Sequence, residues 1–149
     1  MKFLTATTLT LALLGAPAFA DGHASGDAEA GEKVFKKCKS CHSIVDDAGE
    51  AIQKGGRTGP NLYGLYTRVA GTNEDFGKKY GDSLQEAGAA GLEWNEADFV
   101  VYLEDPKKFL ASYLDNKKAR SKMSFKLKKE ADAQNVWAYI VSVGPEVVN

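Results

Sequence analysis

The apolar positions of this chain form one dense block at its start and several short stripes of helical spacing further on. Residues 1–20 read MKFLTATTLTLALLGAPAFA, with Lys2 as the only charge. Val34 and Phe35 then give one apolar patch to a helix predicted over Gly26–Lys39, with Asp27 near its start. Ser83–Gly88 predicts a short turn of helix. Asn95-Glu96-Ala97-Asp98 reads as a helix start, an N-cap with an acid three residues on, and Phe99, Val100, Tyr102 and Leu103 supply the apolar face. Asp105-Pro106 stops that helix, because proline pushes the residue before it out of the α region. Proline suits the first position of a helix, so Pro106 opens the next one with Asp105 as its cap. The last helix is predicted from Glu130 to Val143, with Val136, Trp137, Ile140 and Val141 on one face and Gly144-Pro145 ending it. Residues 43–80 carry glycine at 49, 55, 56, 59, 64, 71 and 77 and read as loop. Alternating β-branched runs are scarce, which predicts almost no sheet. The expected fold is all-α with long loops. Loops of that length in a small domain imply that something other than side chains fills part of the core.

The opening block reads as a leader rather than as part of the fold. Its apolar stretch is too short to span a membrane comfortably, and Ala18-Phe19-Ala20 has the small-x-small pattern of a signal-peptide cleavage site. The expected division is residues 1–20 as a cleaved signal peptide and residues 21–149 as a single domain, with the periplasm as destination. Residues 21–30, small and polar, are expected to form a loose lead-in.

Composition narrows the function. A chain of 149 residues, 44% hydrophobic and 26% charged, fits one globular domain and excludes a collagen or a disordered polymer. The formal net charge of −1 gives no bulk basic charge for nucleic-acid binding. Two cysteines and two histidines are too few for cages holding several structural metals. In an oxidising compartment, Cys38 and Cys41 themselves need a purpose.

That purpose is legible in residues 38–42, Cys-Lys-Ser-Cys-His. Cys-x-x-Cys-His is the attachment signal for a c-type haem. Two thiols three positions apart on a helical turn reach the two vinyl groups of one haem as thioethers, and His42 then offers a nitrogen to the iron. A structural disulfide or a redox-active dithiol between Cys38 and Cys41 is the alternative, but a thioredoxin-like enzyme needs βαβ surroundings that the pattern lacks. Past the leader, Met123 is the one methionine left, in the polar stretch Arg-Ser-Lys-Met-Ser-Phe, a poor place for a core filler. It is the expected second axial ligand, with His23 as rival.

Four ordered motifs carry a wider resemblance. They are Cys38–His42, Thr58-Gly59-Pro60-Asn61-Leu62-Tyr63-Gly64-Leu65, Tyr102-Leu103-Glu104-Asp105-Pro106-Lys107-Lys108-Phe109, and Ser121-Lys122-Met123-Ser124-Phe125. Over about residues 26–143 the chain resembles the class I cytochromes c, most closely the bacterial periplasmic cytochrome c2 group. The resemblance implies the cytochrome c fold, several helices and long loops around one covalent haem c. It implies that the Pro60 carbonyl orients His42 and that Arg68, Tyr80 and Trp94 bind one haem propionate. By the same likeness Ser121 lies near the other propionate, Tyr102 packs beside Met123, and Gly31 and Phe35 cross the final helix near Val136 and Tyr139. The chain departs from shorter relatives in an expanded loop at Asp46–Gly56 and an insertion at Ala111–Ala119.

Charge is unevenly spread. Lys117–Lys129 holds seven basic residues and no acid, whereas residues 21–32 hold four acids and no lysine or arginine. The family places Lys37, Lys39, Lys107 and Lys108 near the haem edge, and Lys122 and Lys126 bracket Met123. A basic ring that docks acidic partners is the expectation, a solvated lysine-rich surface the plainer alternative. The implied role is a monomeric one-electron carrier, not an enzyme, between a cytochrome bc complex and a photosynthetic reaction centre or terminal oxidase. A peroxidase-like haem enzyme or a haem sensor needs an open iron position, and an enzyme needs a distal acid–base group that the folded region lacks.

Overall fold

A computed structural model of the chain describes residues 23–146; the expected signal peptide over residues 1–20 and its expected cleavage point lie outside the described residues. The described chain runs through helix α1 (Ala28–Phe35), strands β1 (Ile44–Val45) and β2 (Ala51–Gln53), a 3-10 turn at Gly77–Lys79, and helices α2 (Asp82–Ala89), α3 (Glu96–Glu104), α4 (Pro106–Tyr113) and α5 (Glu130–Ser142). Sequence logic places most of the caps. Asp27 accepts from Ala30 N at the start of α1. Asn95 accepts from Asp98 N at α3, and Asp105 accepts from Lys108 N ahead of Pro106 at α4.

The frame is the crossing of α1 over α5. A Cβ on Gly31 would stand 1.9 Å from Asn135 O and 2.8 Å from Tyr139 Cβ, so the backbones meet where only hydrogen fits. Phe35 lies one turn on, fully buried, its ring 5.5 Å from that of Tyr139. Gly31→Ala should therefore destabilise the protein by about 3 kcal/mol, at the upper end of overpacking costs. Helix propensity alone predicts the opposite sign, a gain of up to about 1 kcal/mol. A urea midpoint unchanged or raised in Gly31→Ala would refute the close crossing.

The structure departs from the sequence expectation in four places. The first helix ends at Phe35 rather than Lys39. Beyond it the chain tightens into i→i+3 turns, Lys37 N to Val34 O and Cys38 N to Phe35 O, because no apolar face remains to hold a regular helix. Residues 23–27 are tied down rather than loose. Ser25 N and Oγ donate to Glu96, Asp27 N donates to Asn135 Oδ1, and Trp137 Nε1 donates to His23 O. The expanded loop at Asp46–Gly56 folds into the antiparallel ribbon β1–β2, whose turn is held by the Asp46 carboxylate accepting from Ala48 N and Glu50 N. Ala111–Tyr113, assigned to an inserted loop, complete α4, since buried Phe109 and Leu110 anchor that helix in the core. The predicted helical turn at Ser83–Gly88 lies within the longer α2.

Candidate functional site

The Cys-x-x-Cys-His segment forms a single turn fixed by its own backbone. Cys41 N and His42 N both donate to Cys38 O, at 3.1 and 2.9 Å. The loop after it presses in close. Gly56 N donates to Lys39 O and Gly59 N donates to Cys41 O. A Cβ on Gly55 would lie 1.9 Å from His42 O, and one on Gly59 would lie 2.4 Å from Cε1 of the His42 ring. Glycine is the residue that lets a backbone approach this closely.

Cys38 and Cys41 are not bonded to each other and lie in unlike settings. Burial pushes the Cys38 thiol up to about 11, while hydrogen bonding from Thr58 and then Ser40 draws Cys41 below the ordinary range. His42 Nδ1 lies 2.8 Å from Pro60 O. A carbonyl can only accept, so Nδ1 carries the proton and Nε2 keeps its lone pair. Burial also lowers the His42 pKa, which favours the neutral, ligand-competent ring.

Met123 comes from the chain between α4 and α5. Ser121 anchors it: the Ser121 hydroxyl donates to Met123 O at 2.9 Å and accepts from Met123 N at 3.1 Å. Tyr102 OH stands 3.4 Å from the same hydroxyl, and burial raises the Tyr102 pKa. Two further ties hold this stretch, Leu127 N to Leu103 O and a Lys126–Asp105 ion pair at 2.6 Å. Hydrogen bonding from Lys126 holds the Asp105 carboxyl below its usual range.

His42 and Met123 both line a cavity of ≈ 290 Å³. Cys38, Cys41, His42 and Met123 all line it, as do Pro60, Arg68, Tyr80, Trp94, Tyr102 and Ser121. His23 does not; its ring packs on Tyr66 instead. Of the six lysines expected to dock partners, Lys37 and Lys122 reach the cavity, while Lys39, Lys107, Lys108 and Lys126 do not line it. Lys37 stands 3.6 Å from Asp132, and Lys122 Nζ donates to Lys79 O and Tyr80 O. Arg68 donates to Asn61 O and Tyr63 O, and burial lowers its pKa. Sequence reasoning missed Gly59, Lys79 and Arg120 on the cavity wall. The glycines at 55, 56 and 59 were visible as loop residues, but their cluster just after Cys-x-x-Cys-His was the available signal of close packing.

The donor set fits a haem. Two thiols, an imidazole whose Nε2 keeps its lone pair and a thioether line one cavity, together with the apolar Leu62, Leu65, Phe99 and Ile140. The same residues would hold the group, and the pocket answers the need for a non-protein core that the long loops implied.

Known proteins agree. The family profile described as Cytochrome c matches residues 28–144. Cytochrome c2 from Cereibacter sphaeroides is 52% identical over 145 residues, spanning 96% of this chain and 97% of that one. Cytochrome c-551 from Roseobacter denitrificans is 54% identical over 138 residues, 93% of each chain. The crystal structure of cytochrome c2 from Rhodobacter sphaeroides superposes with a TM-score of 0.78 at 55% identity, over 80% of this chain and 98% of that one. The chain therefore belongs to the cytochrome c family, as a class I member similar to the cytochromes c2, and is an electron-transfer protein with one covalently bound haem c.

Proposed function

We propose that this protein is a periplasmic one-electron shuttle whose haem is attached through Cys38 and Cys41 and ligated by His42 and Met123. The observation that carries the reading is the convergence of those four side chains on one cavity. When bound, the haem supplies a ferric/ferrous couple that exchanges one electron. The Pro60 carbonyl holds the His42 tautomer and ring orientation that ligation requires. Ser121 holds the Met123 backbone in place, and the thioether favours ferrous iron and a raised potential. With His42 and Met123 both offered to the iron by the chain, little rearrangement would accompany electron transfer. Signal-peptide removal after Ala20, a single domain over 21–149 and a monomeric state complete the proposal. Among the described residues no helix is long and apolar enough to cross a membrane.

The partners proposed are membrane redox complexes, a cytochrome bc complex as donor and a photosynthetic reaction centre or terminal oxidase as acceptor. Lys37, Lys39, Lys107, Lys108, Lys122 and Lys126 form the docking set, and the cavity wall adds Lys79 and Arg120. Lys126 is partly neutralised by Asp105 and Lys37 by Asp132, so the exposed Lys107 and Lys108 carry freer charge. Charge-steered docking speeds encounter and is screened by salt, with a Debye length of about 10 Å at 0.1 M. Stopped-flow rates with an acidic-faced acceptor should fall steeply from low to high ionic strength, and further in Lys107→Glu/Lys108→Glu. Rates indifferent to both changes would refute the docking surface.

A further inference from the structure

His23 and Tyr66 form a pair whose chemistry the haem site does not use, and neither residue lines the haem cavity. The Tyr66 hydroxyl lies 2.7 Å from His23 Nδ1, and the two rings are 4.6 Å apart. A phenol is a stronger acid than a neutral imidazole N–H, and an imidazole nitrogen is a stronger base than a phenol oxygen. Tyr66 therefore donates, Nδ1 accepts, and the ring proton of His23 sits on Nε2. That Nε2 is buried and has no hydrogen-bond partner. A proton taken up at Nδ1 has no onward path through Nε2 and stays beside the phenol oxygen.

Among the described residues, Tyr66 is the one tyrosine whose hydroxyl is hydrogen-bonded to a basic nitrogen. The Tyr102 hydroxyl faces that of Ser121, Tyr139 bonds the Gln53 side chain, and Tyr80 bonds the backbone of Asn73. Loss of an electron turns a phenol into a strong acid, so a tyrosine is oxidised readily only where a base takes its proton in the same step. Tyr66 is also coupled to the core. Its ring lies edge-on to that of the fully buried Trp137, centroids 6.1 Å apart. The Trp137 ring is in turn 5.1 Å from that of Phe99, which lines the haem cavity. An indole can itself lose one electron, so Trp137 can relay a hole from the cavity side to Tyr66. Trp137 Nε1 donates to His23 O at 2.8 Å, which holds relay, phenol and base in one cluster. Tyr66 also lines a second cleft, of ≈ 240 Å³, with Gly64 and Pro145, where a small molecule can approach it.

We propose that Tyr66 and His23 form a proton-coupled redox pair that takes up the oxidising equivalents delivered by strong one-electron oxidants. Tyr66 gives one electron to the oxidant, with Trp137 as relay for a hole that forms inside the core. The Tyr66 O–H bond breaks and its proton forms an N–H bond at His23 Nδ1. The products are a neutral tyrosyl radical, a His23 imidazolium and the oxidant reduced by one electron. A small one-electron reductant of the ascorbate class reverses the step: its electron goes to Tyr66, and the proton returns from Nδ1 to the phenol oxygen. The hole is thereby kept from Trp94, Tyr102 and Met123, the oxidisable groups that line the cavity.

The test uses the ferric, haem-loaded protein. A laser flash on tris(bipyridine)ruthenium(II) with an irreversible electron acceptor leaves ruthenium(III) as the one-electron oxidant, and the sample is freeze-quenched. Electron paramagnetic resonance should show a tyrosyl radical beside the ferric haem signal. Tyr66→Phe should remove most of that radical, whereas Tyr113→Phe, at an exposed ring, should leave it. His23→Gln keeps the backbone carbonyl that Trp137 bonds but supplies no base, so radical formation should slow several-fold. Heavy water should slow formation in the unsubstituted protein, because proton and electron leave together. That measurement needs no variant, so it decides even where a substitution disturbs the fold. A radical that persists in Tyr66→Phe, formation in His23→Gln at the unsubstituted rate, or equal rates in light and heavy water overturns the proposal.

Discussion

Replacing Met123 by alanine should abolish the weak near-infrared band of methionine-to-iron ligation in the oxidised protein. It should also lower the midpoint potential by a substantial part of the roughly 0.8 V range that axial ligands span. The reasoning runs from local structure to chemistry. Met123 lines the same cavity as His42, and its backbone is clipped at both N–H and carbonyl by one hydroxyl, that of Ser121. Alanine at this place keeps the clip and removes only the sulfur, so the fold persists while the iron loses the ligand that favours its ferrous state. His23→Ala serves as the control. That ring packs at a tilt against Tyr66 and does not line the cavity, so the band should survive its loss. A band that persists in Met123→Ala, or a potential that does not move, would remove Met123 from the iron.

The second large effect is expected from a single methyl group. In Gly59→Ala the new Cβ would stand 2.4 Å from Cε1 and 2.7 Å from Nδ1 of His42, inside any real contact distance. The obstacle cannot move aside cheaply, since Gly59 N is bonded to Cys41 O and the His42 ring to Pro60 O. The ring must therefore turn, losing the hydrogen bond that fixes its tautomer. Disturbing such an outer partner of a metal ligand costs about 10- to 100-fold in affinity or activity. The yield of haem-loaded protein, read as the ratio of haem absorbance to protein, should fall by about tenfold in Gly59→Ala. A yield equal to that of the unsubstituted chain would show that the ring is not pinned by Gly59.

Much of this was written in local sequence. Asn95 and Asp105 announced two helix starts because capping is chemistry within one turn, and each makes the predicted bond; Asp27, read only as near the start of the first helix, caps it as well. Cys38–His42 announced the haem because covalent spacing is fixed by the porphyrin. Loops that looked too long for their core led to the cavity they surround. What stayed hidden depends on distant partners. The hold on residues 23–27 comes from Glu96, Asn135 and Trp137, which no reading of that polar stretch could supply. The ribbon at Ile44–Gln53 has too few residues to show a strand period, and it is set by an Asp46 turn and by Asn61 bonding both N and O of Val45. The meaning of Gly59 lies in what it touches, which a loop glycine does not declare. Family likeness placed Ser121 beside a propionate; the structure adds a grip on Met123 that likeness alone did not suggest.

Peptide mapping by mass spectrometry tests the central claim most directly, on protein made in a host equipped for cytochrome maturation. After denaturation and digestion, the fragment containing Cys38 and Cys41 should carry the added mass of one haem, and no other fragment should. That fragment at its bare mass, with intact protein weighing no more than the polypeptide, would contradict the account.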